Sequence, residues 1–338
     1  MKPATPSRSA IWRRPKVIAL STLVLLMLAV ASALVFFNAR PGTDVDSPAV
    51  LYQQDAAKRA GLHAVFLGTS TFVLTDGTSS IMTDGFFSRP SFLQLLTSIK
   101  TDASAIDFGL SKAPKRIDAI FVAHAHHDHA MDTGLVAMKT NAVIYGSSSA
   151  LNVARGQGTP ESQLRVLKTG VPLVIGDFHV TAIETPHSPS PPNPGSIAQP
   201  VHSPAKLSDY QAGESFSFFV EHPLGKVLIV PSANYRVGAF AGLKVDIVVL
   251  GIGTLGKQSN EFSETYWNEV VRKTGAKMVI PVHWDDFTKP LRDPFVPLPF
   301  FMDNLSTSME RLRSMARRDA VEIRFLPPLR EVTLPAGG

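Results

Sequence analysis

The 338-residue chain contains no cysteine. Disulfides, thiolate metal ligands and a lipidated N-terminal cysteine are therefore excluded. Any metal must be held by histidine, carboxylate and water. Charge is also sparse. Charged residues make up 18% of the chain and the formal net charge is +5. Lys2, Arg8, Arg13, Arg14 and Lys16 all precede residue 17, and the remainder is close to neutral. The body has no basic stripe with interleaved aromatics, so nucleic acid is not an expected partner. No internal repeat is found. What is present is apolar residues, 44% of the total, enough for a sizeable globular core.

The longest apolar run is residues 17–37, VIALSTLVLLMLAVASALVFF. Roughly 20 such residues span the hydrocarbon core of a bilayer as a helix. Arg13, Arg14 and Lys16 precede it, whereas Arg40, Asp44 and Asp46 follow it. That asymmetry keeps residues 1–16 in the cytoplasm and exports the rest. The expected location is a bacterial inner membrane, with the main domain in the periplasm. Two readings of the run compete: a retained anchor, or a signal segment cleaved near the small residues Ala29–Ala33. The run continues to Phe37, longer than a usual signal core, and this favours the anchor.

Residues 38–58 are polar, hold Pro41, Gly42 and Pro48, and read as a linker. From 59 to 330, short runs rich in Val, Ile and Phe alternate with helical stretches, which predicts one α/β domain. Expected strands include Ala64–Leu67, Thr71–Leu74, Ser80–Thr83, Ala119–Ala123, Ala142–Tyr145, His179–Glu184, Ser215–Val220, Lys226–Val230, Asp246–Leu250 and Lys277–Val282. Expected helices are Asp132–Lys139, Ser148–Arg155, Ser263–Lys273 and Asn304–Arg317. In the last, Leu305, Met309, Leu312 and Met315 recur at helical spacing. The Pro- and Gly-rich stretch Ser188–Glu214 reads as a long loop, a length that usually marks function or disorder.

The chemistry concentrates in His124-Ala125-His126-His127-Asp128-His129, directly after the apolar run Ile120–Ala123. Irregular backbone after a strand can aim several side chains at one point, which a strand cannot. Imidazole and carboxylate are natural ligands for zinc and related divalent ions. His187 and His283 each close another apolar run. Strand ends gathered on one sheet edge are where sites form in layered α/β folds.

With these residues in view, the chain from about Leu62 to Leu326 resembles the metallo-β-lactamase superfamily. It is similar to the branch of N-acyl-phosphatidylethanolamine phospholipase D and L-ascorbate-6-phosphate lactonase. That branch opens with a Gly-x-x-(Ser/Thr) strand and an Ile-x-x-Asp-Pro-like turn. Here Gly68-Thr69-Ser70-Thr71-Phe72 and Ile81-Met82-Thr83-Asp84-Gly85 match them. The resemblance implies a four-layer αβ/βα sandwich behind the N-terminal transmembrane helix. It implies that His124, His126 and His187 hold a first metal, and Asp128, His129 and His283 a second. Asp84 would orient a ligand histidine through a hydrogen bond. The family's bridging carboxylate falls at Ser232, where a hydroxyl is a weak bridge. The second metal is then expected to bind weakly or not at all, with the Asn234 carbonyl oxygen as an inferior substitute. His127 is expected to point away, and His202 is the other histidine placed near the site by its loop.

The expected function is metal-assisted hydrolysis with one or two Zn2+ or other divalent ions. Asp128 would ligate the second metal or hold the attacking water and take its proton. The substrate class suggested by the branch and the tether is a phosphodiester or phospholipid, with Phe86-Phe87 and Phe295–Met302 as a lipid-facing entrance or as core. The competing classes are a periplasmic ester, lactone or amide, and a degenerate metal-binding scaffold without catalysis.

Overall fold

The computed structural model describes residues 8–42, 45, 47, 51–53 and 61–337, without side chains for 8–16. Much of the expected linker and part of the basic tail therefore lie outside the described residues. The apolar run is inside helix α1 (Arg8–Asn38), whose Val17–Asn38 portion is long and apolar enough to cross a membrane.

Two seven-stranded sheets face each other. The first is built from β1 (His63–Phe66), β2 (Phe72–Thr75), β3 (Ser80–Thr83), β4 (Ala119–Phe121), β5 (Val143–Gly146) and β6 (Leu164–Val166), adjacent in chain order. The second contains β7 (Pro172–Ile175), β8 (Phe178–Glu184), β9 (Phe216–His222), β10 (Gly225–Val230), β11 (Ile247–Gly251), β12 (Met278–Val282) and β13 (Glu322–Ile323). The last strand, β14 (Glu331–Thr333), returns to the first sheet and pairs antiparallel with β1. Strands β3 to β6 are parallel, as are β10 to β13; the remaining pairs are antiparallel.

Alternation sorts each strand's side chains between two apolar layers. Ala64 and Phe66 of β1 and Phe121 of β4 face the space between the sheets, where they meet Phe178, Ala182 and Phe218. Val65, Met82 and Ile120 point outward. They are covered by α2 (Ala103–Leu110), α4 (Thr133–Thr140) and α5 (Ser148–Gly156). The outer face of the second sheet lies under α6 (Asn260–Trp267) and α7 (Leu305–Asp319). The result is the αβ/βα four-layer sandwich.

Several expected boundaries move. The helix expected at Ser263–Lys273 starts earlier, because the Ser259 hydroxyl caps it by accepting from the Phe262 N–H at 3.0 Å. It then runs into a π-helical turn, Asn268–Arg272. Helix α2 escapes the sequence pattern, since Gly109 weakens its helical propensity. Packing requires that glycine: a Cβ there would sit only 2.3 Å from the Phe87 ring. Phe86 and Phe87 are fully buried, so they are core and not a lipid-facing surface.

Asp319 at the end of α7 fastens it to the α6 segment. It accepts from Trp267 Nε1 at 2.8 Å and from the Arg272 and Arg318 guanidiniums at 3.1 Å. Arg318 above all, with Trp267 and Arg272, lowers its pKa to about 2. A carboxylate depressed on folding contributes stability above its unfolded pKa of roughly 4 and loses it as pH falls through the folded value. Asp319→Asn should therefore lower Tm at neutral pH and leave it unchanged near pH 2, as checked by thermal melts across pH.

Candidate metal centre

Every candidate residue lies just beyond a strand's C-terminal end. Asp84 follows β3, His124 lies three residues past β4, Ser232 follows β10 and His283 follows β12. Past His124 the chain turns at once into α3 (His127–Ala130), with His126 as its N-cap. That break from strand to one helical turn lets four neighbouring residues, His124, His126, Asp128 and His129, face one place.

Two triads form. His124, His126 and His187 bring one ring nitrogen each to within 4.8 Å of one another, and Asp128, His129 and His283 do the same with a carboxylate oxygen and two nitrogens. The triads adjoin, since the His124 and His129 ring centroids are 3.8 Å apart. In the first triad His126 Nδ1 lies 3.1 Å from His124 Nε2 and 3.2 Å from His187 Nε2. In the second, Asp128 Oδ2 lies 3.8 Å from His129 Nε2 and 3.4 Å from His283 Nε2.

The far nitrogens decide what these close approaches mean. His187 Nδ1 is 2.9 Å from the Ser188 carbonyl, and a carbonyl can only accept, so Nδ1 carries the proton. His126 Nε2 faces the Asn193 carbonyl at 3.4 Å and is protonated for the same reason. The nitrogens left facing each other, His126 Nδ1 and His187 Nε2, then both present lone pairs. Neutral imidazoles have no proton to place between them. Burial holds them neutral: it takes His124 well below its usual pKa, helped by His129, His187 and His126, and takes His187 to about 4, helped by His126. Converging lone pairs at about 3 Å repel unless a cation lies among them, so the donor set fits a divalent metal.

The second triad is oriented likewise. His129 Nδ1 donates to Asp84 Oδ2 at 2.8 Å, leaving Nε2 free toward Asp128. Asp84 is itself fixed, accepting from the Ala123 N–H at 2.7 Å and from the Ser70 hydroxyl at 2.5 Å. Its backbone is in the left-handed region with φ 60°, followed by Gly85 at φ 85°. Burial alone would pull His129 down in pKa, but the charges of Asp84 and Asp128 outweigh it and raise it. Asp128 stays well below the usual carboxylate range despite burial, because His129, His283 and His127 surround it.

His283 is held by its backbone. Its φ is 59° and its N–H donates to the Thr69 carbonyl at 2.5 Å. The Thr69 N–H in turn donates to Asp285 Oδ1 at 2.8 Å, and Asp285 Oδ2 pairs with Arg89 at 2.5 Å. Gly253 packs directly on the ring: a Cβ there would lie 2.8 Å from His283 Nδ1. The sequence pattern gave no sign of Arg89, 196 residues from Asp285 and without a local motif. Nor did it single out Asp132, which fixes the Phe87–Ser88 turn by accepting from both N–H groups at 2.7 Å; the only local sign is its position three residues after His129.

Ser232, Asn234, His127 and His202 lie outside both triads. The turn after β10 holds Ser232, buried, and no side chain among the described residues belongs to both triads. The Asn234 amide does not offer its oxygen as a ligand. Oδ1 accepts from the Tyr235 N–H at 2.8 Å, while Nδ2 donates to the His187 carbonyl at 2.5 Å. His127 belongs to neither triad but is buried among Phe86, Tyr210 and Phe287. His202 is exposed. The loop 188–214 does reach the site: Asn193 bonds His126, and Ala212 accepts from the Ala125 N–H at 2.8 Å.

At the opposite edge of the sheets, His222 meets Asp76 and Asp177. His222 Nδ1 accepts from the Leu224 N–H, so Nε2 carries the proton and donates to Asp76 at 3.3 Å. That arrangement clips two hairpins together and leaves no free nitrogen for a metal.

Residues 64–283 match the beta-lactamase superfamily domain. The chain belongs to that superfamily. Among its relatives, a metal-dependent hydrolase of Myxococcus xanthus is 26% identical over 307 residues, covering 86% of this chain and 94% of that one. A metal-dependent hydrolase of Polynucleobacter asymbioticus is 27% identical over 182 residues, covering 50% of this chain and 58% of that one. A metallo hydrolase of Ignicoccus hospitalis shares the superfamily fold, with a TM-score of 0.52 at 15% identity, over 81% of this chain and 98% of that one.

The Arg89–Asp285 pair, 2% and 0% exposed, supports the turn that holds His283. Removing one member of a buried pair strands the other charge, a loss of about 3–5 kcal/mol. Arg89→Ala is expected to lower unfolding free energy by that amount in denaturant titrations. A loss below about 1 kcal/mol, the scale of an exposed pair, would show that the pair does not carry this load.

Proposed function

We propose that this metal-dependent hydrolase of the β-lactamase superfamily holds one divalent ion on His124, His126 and His187. A second, weaker ion is held by Asp128, His129 and His283. The convergence of two proton-free ring nitrogens, His126 Nδ1 and His187 Nε2, beside His124 carries this reading. Zinc is the ion proposed, because an all-imidazole triad with a neighbouring carboxylate suits it. When bound, such an ion lowers the pKa of water from 15.7 toward roughly 7 and polarises the oxygen under attack.

The chain's own residues supply the rest. Asp128 is the ionised carboxylate of the second triad; with only the first ion bound, it is placed to orient a water and accept its proton. Asp84 and Ser70 keep His129 in the tautomer that presents Nε2, the Ser188 carbonyl does so for His187, and the Asn193 carbonyl keeps His126 in the tautomer that presents Nδ1. The 188–214 loop covers His126 and limits water around the reacting centre. Ser232 sets the balance between the halves. A hydroxyl where a carboxylate would lie leaves the second cation with one fewer negative charge.

For substrate, the proposal is a phosphodiester of the phospholipid class. It is supported by the branch resemblance and by the apolar helix joined to the domain. The proposed location is the bacterial inner membrane with this domain on the periplasmic side, from the Arg13, Arg14 and Lys16 flank.

Two experiments test the proposal. Elemental analysis and turnover of a bis-aryl phosphate, a phospholipid, a lactone and a cephalosporin are measured on wild type and on His126→Ala and His187→Ala. Both variants should lose the tighter ion and essentially all phosphodiester turnover. Full activity in both would end the metal hypothesis, while turnover confined to the lactone would replace the substrate class. Bound metal without turnover of any substrate would favour a non-catalytic scaffold. Second, Ser232→Asp should tighten the weaker ion by at least tenfold, about 1.4 kcal/mol, in competitive chelator titrations. Unchanged affinity would show that position 232 does not limit the second half of the site.

A further inference from the structure

The end of α1 does not hang free of the domain. Phe36 stacks on Phe301 with centroids 5.4 Å apart, and Phe37 meets Phe301 at 5.2 Å and Phe92 at 5.4 Å. Just past the helix, the Ala39 carbonyl accepts from the Phe300 N–H at 2.9 Å. Arg40 pairs with buried Asp286 at 2.8 Å. Two loops of the domain, around Phe92 and around Phe300–Phe301, therefore sit at the level where the apolar helix stops.

Those loops expose what a soluble surface would hide. Leu93 is 74% exposed and Leu96 71% exposed. They flank a short 3₁₀ turn, Gln94–Leu96, in which positions three apart eclipse, so the two leucines project from one side. Phe300, 41% exposed, precedes Phe301, which packs on Phe92 with centroids 5.6 Å apart and joins the two loops. The segment Ser91–Thr97 carries no charged side chain. At the rim, exposed Lys257 donates its ammonium to the Phe300 carbonyl at 2.6 Å, the placement of a cation between apolar surface and water. An apolar patch continuous with a spanning helix, with aromatics at its base and lysine at its rim, has the composition of a membrane-interface layer.

We propose that Leu93, Leu96 and Phe300 form an apolar foot that enters the interfacial layer of the bilayer crossed by α1. This rests on α1 being retained as a membrane span. The foot fixes the domain's tilt at two points, helix and turn, so the domain is seated on the lipid surface and does not swing from a tether.

The absence of cysteine makes the test direct, since one introduced thiol is the single labelling point. Full-length protein is reconstituted into vesicles of phosphatidylethanolamine and phosphatidylglycerol, carrying an environment-sensitive fluorophore at Leu93→Cys, Leu96→Cys or Phe300→Cys. Val174→Cys and Val237→Cys, both exposed away from the foot, report water, and Leu26→Cys reports the helix. Labels at 93, 96 and 300 should shift to shorter wavelength and be quenched more by lipids spin-labelled near the headgroup than deep in the chain. The label at 26 should be quenched by the deep spin label, and those at 174 and 237 by neither. If 93, 96 and 300 behave like 174 while 26 is quenched, the foot is wrong and the span stands. An unquenched label at 26 removes the span and the foot with it. Labels shielded from water yet unquenched by either lipid would mean a protein partner or second copy covers the leucines, which also overturns the proposal.

Discussion

The close approach of His126 Nδ1 to the ring nitrogens of His124 and His187 is the constraint around which the site is arranged. Left alone, three neutral imidazoles would turn their protonated edges toward one another or toward water. Here His126 and His187 cannot, because their other edges are committed to carbonyls. The Ser188 carbonyl holds one ring, the Asn193 carbonyl another, and burial removes water as a competitor. The fold uses the Ser188 and Asn193 carbonyls to select the tautomers of His187, just past β8, and His126, at the N-cap of α3. The loop 188–214 is thus part of the site's electrostatics as well as its cover.

Much of this was legible in the sequence, for physical reasons. Strands β3, β4, β10, β11 and β12 are buried on both faces, so they read as unbroken apolar runs, and the histidines and Asp84 at their ends stand out against them. The six donors are recognisable because such a density of imidazole has no use in a core. What could not be read depends on distant partners. Ser70, Arg89 and Asp285 look ordinary in their local context and acquire their roles only when β1, the turn after β3 and the end of β12 meet. Edge strands such as Leu164–Val166 and Glu331–Thr333 alternate with Arg165 or Glu331 and lack the apolar length of a central strand. Helix α2 was hidden by Gly109, the residue that its packing on Phe87 demands.

The two halves of the site are held differently. The first rests on three histidines whose far edges bond backbone or are buried. The second depends on a chain of side chains: Ser70 to Asp84 to His129 on one side, and Arg89 to Asp285 to the Thr69 turn to His283 on the other. Such chains are cooperative and transmit the loss of any member. The second half is the more conditional one in structure.

Gly253 gives that asymmetry an evolutionary meaning. A single methyl group at this position would press on His283 Nδ1 at 2.8 Å and on the His283 carbonyl oxygen at 3.0 Å. One base change in the gene is enough to turn a glycine codon into alanine. The seat of His283 therefore lies one mutational step from being displaced.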